Sequence, residues 1–343
     1  MGNEELGSSR RTLAQNGNMY QTSPQSGYNH SQFSILNSQL HPVWLSDKWV
    51  DYELLDCSGG EKLERWGSYV LVRPDPQVIW NTPKEHPGWH GYDARYERSQ
   101  SGGGQWQFVG IPETKSKKTK TPDTWQIRYN GLLPGDKLSF NVSLMNFKHT
   151  GLFPEQAVNW EYIYERIRNA GREINVLNLF AYTGGATLAA AAAGASVCHV
   201  DAARGMVARA RENAKLSGLD DKPVRWIVDD CAGFVEREIR RGRRYDALIM
   251  DPPSFGRGPS GEVWKLEDSL YSFVKLCLDV LSGNPLFVLI NSYTTGLSPG
   301  VLTYITQSLL GGYADSRELG LPVTSNGLIL PCGSTCRWSN KET

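Results

Sequence analysis

The second half of the chain alternates short apolar runs with longer segments whose apolar residues recur at helical spacing. Residues 174–179 (INVLNL) read as a buried strand, followed by a tight turn over Tyr182-Thr183-Gly184-Gly185, an alanine-rich helix, and a second strand that closes on Asp201. A helix over 204–217, a strand over 224–228 ending in Asp229-Asp230, and a helix over 233–241 continue the alternation. Then come a strand over 247–250 ending in Asp251-Pro252-Pro253-Ser254-Phe255, a helix over 265–281, and a strand over 286–290 ending in Asn291-Ser292-Tyr293. After one more helix, residues 316–323 and 327–338 read as two strands with no helix between them. Such alternation predicts an α/β fold with a mostly parallel sheet, whose ligands bind beyond the carboxyl ends of the strands. Each polar cluster just named lies at such an end.

The first half is patterned differently. Residues 1–40 are rich in Ser, Asn, Gln and Gly and poor in aliphatics, so they are expected to be a disordered tail. Residues 41–145 contain short β-rich runs at 52–55, 69–72, 77–80, 106–109 and 125–129, with Asn130-Gly131 as a hairpin signal, and predict a small antiparallel β domain. Its many Trp and Tyr residues are expected to form core in preference to stacking on bases. Residues 146–343 are then the α/β domain. They open with a bridge over 147–156, either a linker or a lid over a ligand, and an amphipathic helix over 158–169.

A length of 343 residues and an apolar fraction of 40% leave room for two domains. Lys+Arg and Asp+Glu each total 36, and this zero net charge argues against wholesale polyanion binding. Local candidates remain: lysines at 115, 117, 118 and 120, and the basic stretch over 237–244. The 6 cysteines are irregularly spaced, so no disulfide framework is expected, and Cys332 and Cys336 read as free thiols with no metal. No apolar run approaches the ~20 residues of a membrane span, and no signal-peptide core is present. A cytoplasmic location without membrane contact is expected. Nothing in the chain bears on oligomeric state.

Candidate chemistry sharpens the picture at the strand ends. The turn at 182–185 lacks the full G-x-G-x-x-G of a dinucleotide site, so it suits a nucleoside cofactor without pyrophosphate, its glycines letting backbone amides approach the ligand. Asp201 is placed for ribose hydroxyls, Asp230 for an adenine amino group with Asp229 as the alternative, and Asp251 for the reaction site. Each alone reads equally well as a helix N-cap, but three in phase with the strands form a pattern. The two prolines after Asp251 stiffen the chain so that the carboxylate and nearby carbonyls stay aimed at a planar nitrogen-bearing ring, on which Phe255 can stack.

Together with residues 148–151 (KHTG), Gln156 and residues 176–185 (VLNLFAYTGG), these motifs resemble the class I S-adenosylmethionine-dependent methyltransferases, and within them the group that modifies large-subunit ribosomal RNA. The resemblance spans residues 138–338. It implies a Rossmann-like seven-stranded sheet with an antiparallel last strand, which agrees with the final hairpin, and S-adenosyl-L-methionine as cofactor. The implied cofactor-binding set is Phe180, Tyr182, Thr183, Gly184, Gly185, Asp201, Ala202, Asp230, Cys231 and Asp251. Pro252, Pro253 and Phe255 are the implied substrate contacts, and Asp251 and Asn291 the catalytic positions. Members of this family that methylate cytosine at carbon carry a nucleophilic cysteine where this chain has Asn291-Ser292-Tyr293. The expectation is therefore in-line methyl transfer to a nucleobase nitrogen in ribosomal RNA, with RNA as partner. The alternatives are a methyltransferase for a small molecule or protein side chain, or an idle RNA-binding protein that keeps the fold.

Overall fold

The computed structural model describes residues 43–99, 103–108, 122–132, 135, 137–144, 148–257, 263–294 and 296–340. The polar first 40 residues and the lysines at 115–120 lie outside the described residues.

The described chain begins with β1 (Val43–Leu45), then β2 (Tyr52–Ser58), β3 (Glu61–Trp66), β4 (Tyr69–Pro74), β5 (Ala94–Arg98), β6 (Gly104–Phe108), β7 (Thr124–Tyr129) and β8 (Leu138–Ser143). Strands β2 to β6 form one sheet in sequence order, antiparallel except for a short parallel pairing of β4 with β5 across the excursion 75–93. Residues 77–80, expected as a strand, belong to that excursion. Prolines at 74 and 76 interrupt regular pairing, and the segment bonds instead to the Gly59-Gly60 turn, Gly59 N–H to the Trp80 carbonyl at 2.9 Å and Gly60 N–H to Val78 at 3.0 Å. β7 and β8 form a separate antiparallel pair, joined by a longer loop than the two-residue turn that Asn130-Gly131 suggested.

The second half reads α1 (Ala157–Arg168), β9 (Asn175–Leu179), α2 (Gly185–Ala192), β10 (Ser196–Asp201), α3 (Arg204–Leu216), β11 (Val224–Val228), α4 (Cys231–Arg240) and β12 (Ala247–Met250). A hairpin follows, β13 (Phe255–Arg257) with β14 (Val263–Lys265), then α5 (Leu266–Leu278), β15 (Phe287–Ser292), α6 (Pro299–Leu310), β16 (Tyr313–Pro322) and β17 (Ile329–Ser339). The large sheet runs β1-β16-β17-β15-β12-β9-β10-β11, with β17 antiparallel to both neighbours. The expected sheet is present with one strand more, eight in place of seven, because β1 adds in parallel to the outer edge of β16. Gly320 permits that addition: a Cβ there would stand 2.7 Å from Val43 and 2.5 Å from Ile329.

Alternation along the strands sorts two cores. Val176, Val197, Ile249 and Leu289 face α1, α2 and α3, whereas Leu177, Val200, Leu248 and Ile290 face α4, α5 and α6. The first core continues into the small sheet through an aromatic cluster in which Trp49, Tyr52, Trp66, Tyr129 and Trp160 meet with centroids 4.7 to 6.0 Å apart. Trp66 and Tyr129 have 0% exposure, so these rings serve packing and are not stacking platforms. β8 is tied to α3 by side-chain caps on its amides, Asn213 accepting from Asn141 and Ser217 from Ser139, both at 2.9 Å.

Candidate active site

The loop after β9 is strained where the motif lies. Phe180 and Tyr182 have φ of 54° and 51°, a region costly for large side chains. The strain is held in place by Asp201, whose carboxylate accepts from Tyr182 N–H and from Ala203 N–H, each at 2.8 Å, strapping the first loop to the next strand end. The two glycines differ in purpose. Gly184, at φ 91°, needs its conformational freedom, whereas Gly185 has no room for a side chain, since a Cβ would lie 2.6 Å from the Trp160 ring. Beneath the loop, the Thr187 hydroxyl joins Asn178 and His199 at 2.9 Å each, and burial lowers the imidazole to about 3, so this His is a neutral core group.

The loop roofs a small open cavity. Its lining brings together seven of the expected residues, Phe180, Tyr182, Thr183, Gly184, Gly185, Asp251 and Asn291, with Leu152, Phe153, Gln156 and Trp160 from the bridge and α1. Leu152, Phe153 and Gln156 of the bridge therefore form part of the cavity wall. Burial and then the neighbouring Glu155 push Asp251 up to about 7, which marks it as a group in an unusual electrostatic setting. Asn291 is 4% exposed and sits in a closed polar network: its Oδ1 accepts from Asn159 at 3.1 Å and Thr335 at 2.5 Å, and its Nδ2 donates to Gln156 at 3.3 Å. Gln156 in turn donates to the Tyr293 hydroxyl at 2.7 Å.

Other expected residues lie outside this lining. Asp201 and the exposed Ala202 flank the loop, at the tip of β10. Asp230 is the N-cap of α4, accepting from Gly233 N–H at 2.8 Å, and Asp229 pairs with Arg237. The Cys231 thiol is buried and accepts from Phe180 N–H at 3.4 Å, so its side chain supports the loop from below. Pro252 is buried and Pro253 exposed, its carbonyl accepting from Trp264 at 2.6 Å; Phe255 is 54% exposed at the start of the β13–β14 hairpin. The alternation of apolar and polar positions does not predict that hairpin, which precedes the helix expected from residue 265. Gln156, Asn159, Trp160 and Glu155 were also missed as a set. They project from one helical turn and its start, a juxtaposition with the strand ends that spacing along the chain does not announce.

The set fits an adenosine-bearing cofactor: a strained glycine loop, a carboxylate at the tip of the next strand, and a raised carboxyl at the adjoining strand end. Among the described residues no cluster of His, Cys, Asp and Glu is arranged to hold a metal ion, and no helix is long and apolar enough to cross a membrane.

Comparison with known proteins agrees. The S-adenosylmethionine-dependent methyltransferase family model matches residues 113–300. The crystal structure of an S-adenosylmethionine-dependent methyltransferase from Agrobacterium tumefaciens is 35% identical, with a TM-score of 0.78 over 87% of this chain and 93% of that one. A Streptococcus mutans structure, 19% identical with a TM-score of 0.64 over 92% and 82% of the two chains, shares the fold. The ribosomal RNA large subunit methyltransferase K/L of Shewanella loihica is 34% identical over 131 residues, 38% of this chain and 17% of that protein. The chain thus spans about a sixth of the length of such relatives.

Proposed function

This chain belongs to the S-adenosylmethionine-dependent methyltransferases, and we propose that the acceptor it methylates is a nucleobase nitrogen of large-subunit ribosomal RNA. The cofactor supplies a methyl group on a sulfonium, whose carbon–sulfur bond breaks with its electron pair staying on sulfur. The protein holds the reactants in line and tunes the charge around them. In this reading Tyr182, Thr183, Gly184 and Gly185 carry the amino-acid end of the cofactor, Asp201 the ribose, and Asp230 the adenine amino group. Asp251 lies beside the reacting centre and orients the target, with Asn291 as a second hydrogen-bonding group.

The observation that carries nitrogen as the target is the end of β15. Asn291, Ser292 and Tyr293 stand there, so no thiol follows the strand next to the Asp-Pro-Pro motif. Two thiols lie near the site: Cys231 is buried beneath the loop, where its sulfur accepts from Phe180 N–H, and Cys332 on β17 donates to the Leu330 carbonyl; burial pushes both up, which leaves little thiolate for attack on carbon. RNA as the substrate is supported by the similarity to ribosomal RNA large subunit methyltransferases K/L over 131 residues of this chain.

The test is nucleoside mass spectrometry of ribosomal RNA from cells lacking the protein. One N-methylated base of the large-subunit RNA should be absent, and purified protein with labelled S-adenosylmethionine should restore it. Full retention of every methylated base overturns the RNA assignment. A denaturant-resistant protein–RNA adduct formed on 5-fluorocytidine RNA overturns the nitrogen assignment.

A further inference from the structure

Beside the cofactor cavity lies a larger one of about 1080 Å³, bounded by Lys62, Arg73, Lys148, Glu155, Ser254 and Tyr293. The two share Leu152 and Phe153 in their linings, and the Gln156 to Tyr293 hydrogen bond spans from one to the other. The small sheet contributes one wall and the strand ends the opposite one.

Glu155 is the unexplained group of this cavity. It is 5% exposed, and among the described residues its carboxylate has no ion pair and no hydrogen-bond donor other than its own backbone amide. The nearby cations are committed elsewhere: Arg73 donates to Glu64 at 2.6 and 2.8 Å, and Lys62 pairs with Asp75 at 3.2 Å. A buried carboxyl held only by its own amide keeps lone pairs free for a donor that enters the cavity. Burial raises its pKa above the usual carboxylate value, against the opposing pull of Lys62 and Arg73. Lys148, at the same cavity, makes only a long 3.4 Å contact to the Pro74 carbonyl; burial lowers it to about 8, which leaves it mostly cationic at neutral pH.

We propose that this larger cavity seats the acceptor, a phosphate-linked heterocycle presenting an N–H, with Glu155 receiving the hydrogen bond of the reacting nitrogen and then its proton, and Lys148 facing the phosphate. The inference rests on the nitrogen-methylation reading above. The acceptor nitrogen gives its lone pair to the new carbon–nitrogen bond and sheds one hydrogen; that proton passes to the Glu155 carboxylate and from there to solvent through the cavity.

The test uses the full chain saturated with S-adenosylhomocysteine. Guanosine, adenosine, cytidine and uridine 5′-monophosphates are titrated in and followed by saturation-transfer NMR. At least one N–H-bearing nucleotide should bind, and Ser254→Trp, which fills the cavity, should abolish the signal. Lys148→Ala should weaken that nucleotide roughly tenfold and its free nucleoside hardly at all. In single-turnover methylation of unmodified large-subunit RNA, Glu155→Gln should slow transfer about 100-fold while S-adenosylhomocysteine affinity stays within about twofold, and Glu155→Asp should recover part of the rate. The proposal is overturned if no nucleotide binds, if Ser254→Trp leaves binding intact, or if Glu155→Gln loses cofactor affinity and rate together, which marks a structural carboxyl. Nucleotide binding that depends on these residues, without methylation of ribosomal RNA, upholds the cavity and sinks only the ribosomal reading.

Discussion

The two cavities meet at Leu152 and Phe153, yet they are assembled in different ways. Most of the cofactor cavity comes from residues 178–186 and the tips of neighbouring parallel strands, so its parts are fixed to one sheet and to each other by ladder hydrogen bonds. The larger cavity takes its lining from β3, β4 and the excursion after it, the bridge, the Asp-Pro-Pro loop, the residue after β15, and β17, segments held together by buried charge and aromatic packing. A site on one rigid sheet tolerates the loss of a contact as a local loss of affinity. A site shared between the small sheet and the bridge depends on whatever clamps them, and here that clamp includes Arg73, which pairs with Glu64 on the neighbouring strand of the small sheet and donates to the Lys148 carbonyl of the bridge at 3.0 Å.

The largest expected effect strikes the clamp. Glu64 has 0% exposure; burial alone would raise its pKa, but Arg73 and Lys62 reverse this and hold it at about 2. Arg73→Met leaves that carboxylate without its bidentate partner and should cost about 3–5 kcal/mol in urea denaturation, with Glu64→Gln in the same chain recovering much of it. A loss under about 1 kcal/mol would show that the clamp is not what joins the small sheet to the bridge.

On the cofactor side, Asp201→Ala removes both the strap on the Tyr182 amide and the proposed ribose acceptor. S-adenosylhomocysteine affinity should fall roughly 30- to 100-fold, about 2–3 kcal/mol, with little change in melting temperature. Unchanged affinity by calorimetry would remove Asp201 from the site.

Asp251, in the lining of the cofactor cavity, sets a pH dependence. Its folded value of about 7 exceeds the ordinary 3.8, so between these values the folded chain holds a proton that the unfolded chain has released. Stability should therefore fall as pH rises from about 4 to about 7, and Glu155, also raised and facing Lys62, Arg73 and Asp75, adds a term of the same sign. Asp251→Asn should flatten that slope and stabilise the ligand-free chain at pH 8 by on the order of 1–3 kcal/mol, at the expense of methyl transfer. An unchanged slope would place the titration elsewhere.

The smallest effect tests packing under the loop. Gly185→Ala must displace the Trp160 ring and should cost roughly 1–2 kcal/mol, with a modest loss of cofactor affinity because α1 carries Asn159 as well as Trp160. Trp160→Phe combined with Gly185→Ala should restore part of the stability; no restoration would mean the clash is absorbed elsewhere.

The sequence by itself determined the alternating sheet, its reversed strand, and the acids at successive strand ends, because in a parallel sheet the residue after an apolar run is delivered to the ligand edge whatever else the chain does. It left open what each acid does there. Asp201 turned out to brace the strained loop through two amides, Asp230 to cap a helix, and Asp251 alone of the three to line the cavity, since hydrogen bonds to local backbone are set by loop geometry and not by residue type. Only the tertiary structure could bring β1 onto the far edge of the sheet, seat Trp160 against Gly185, and set Glu155 before a cavity shared with Arg73 and Lys148. These pairings join residues from distant parts of the chain, and no local periodicity records a contact whose two halves are specified separately and meet only when both cores have formed.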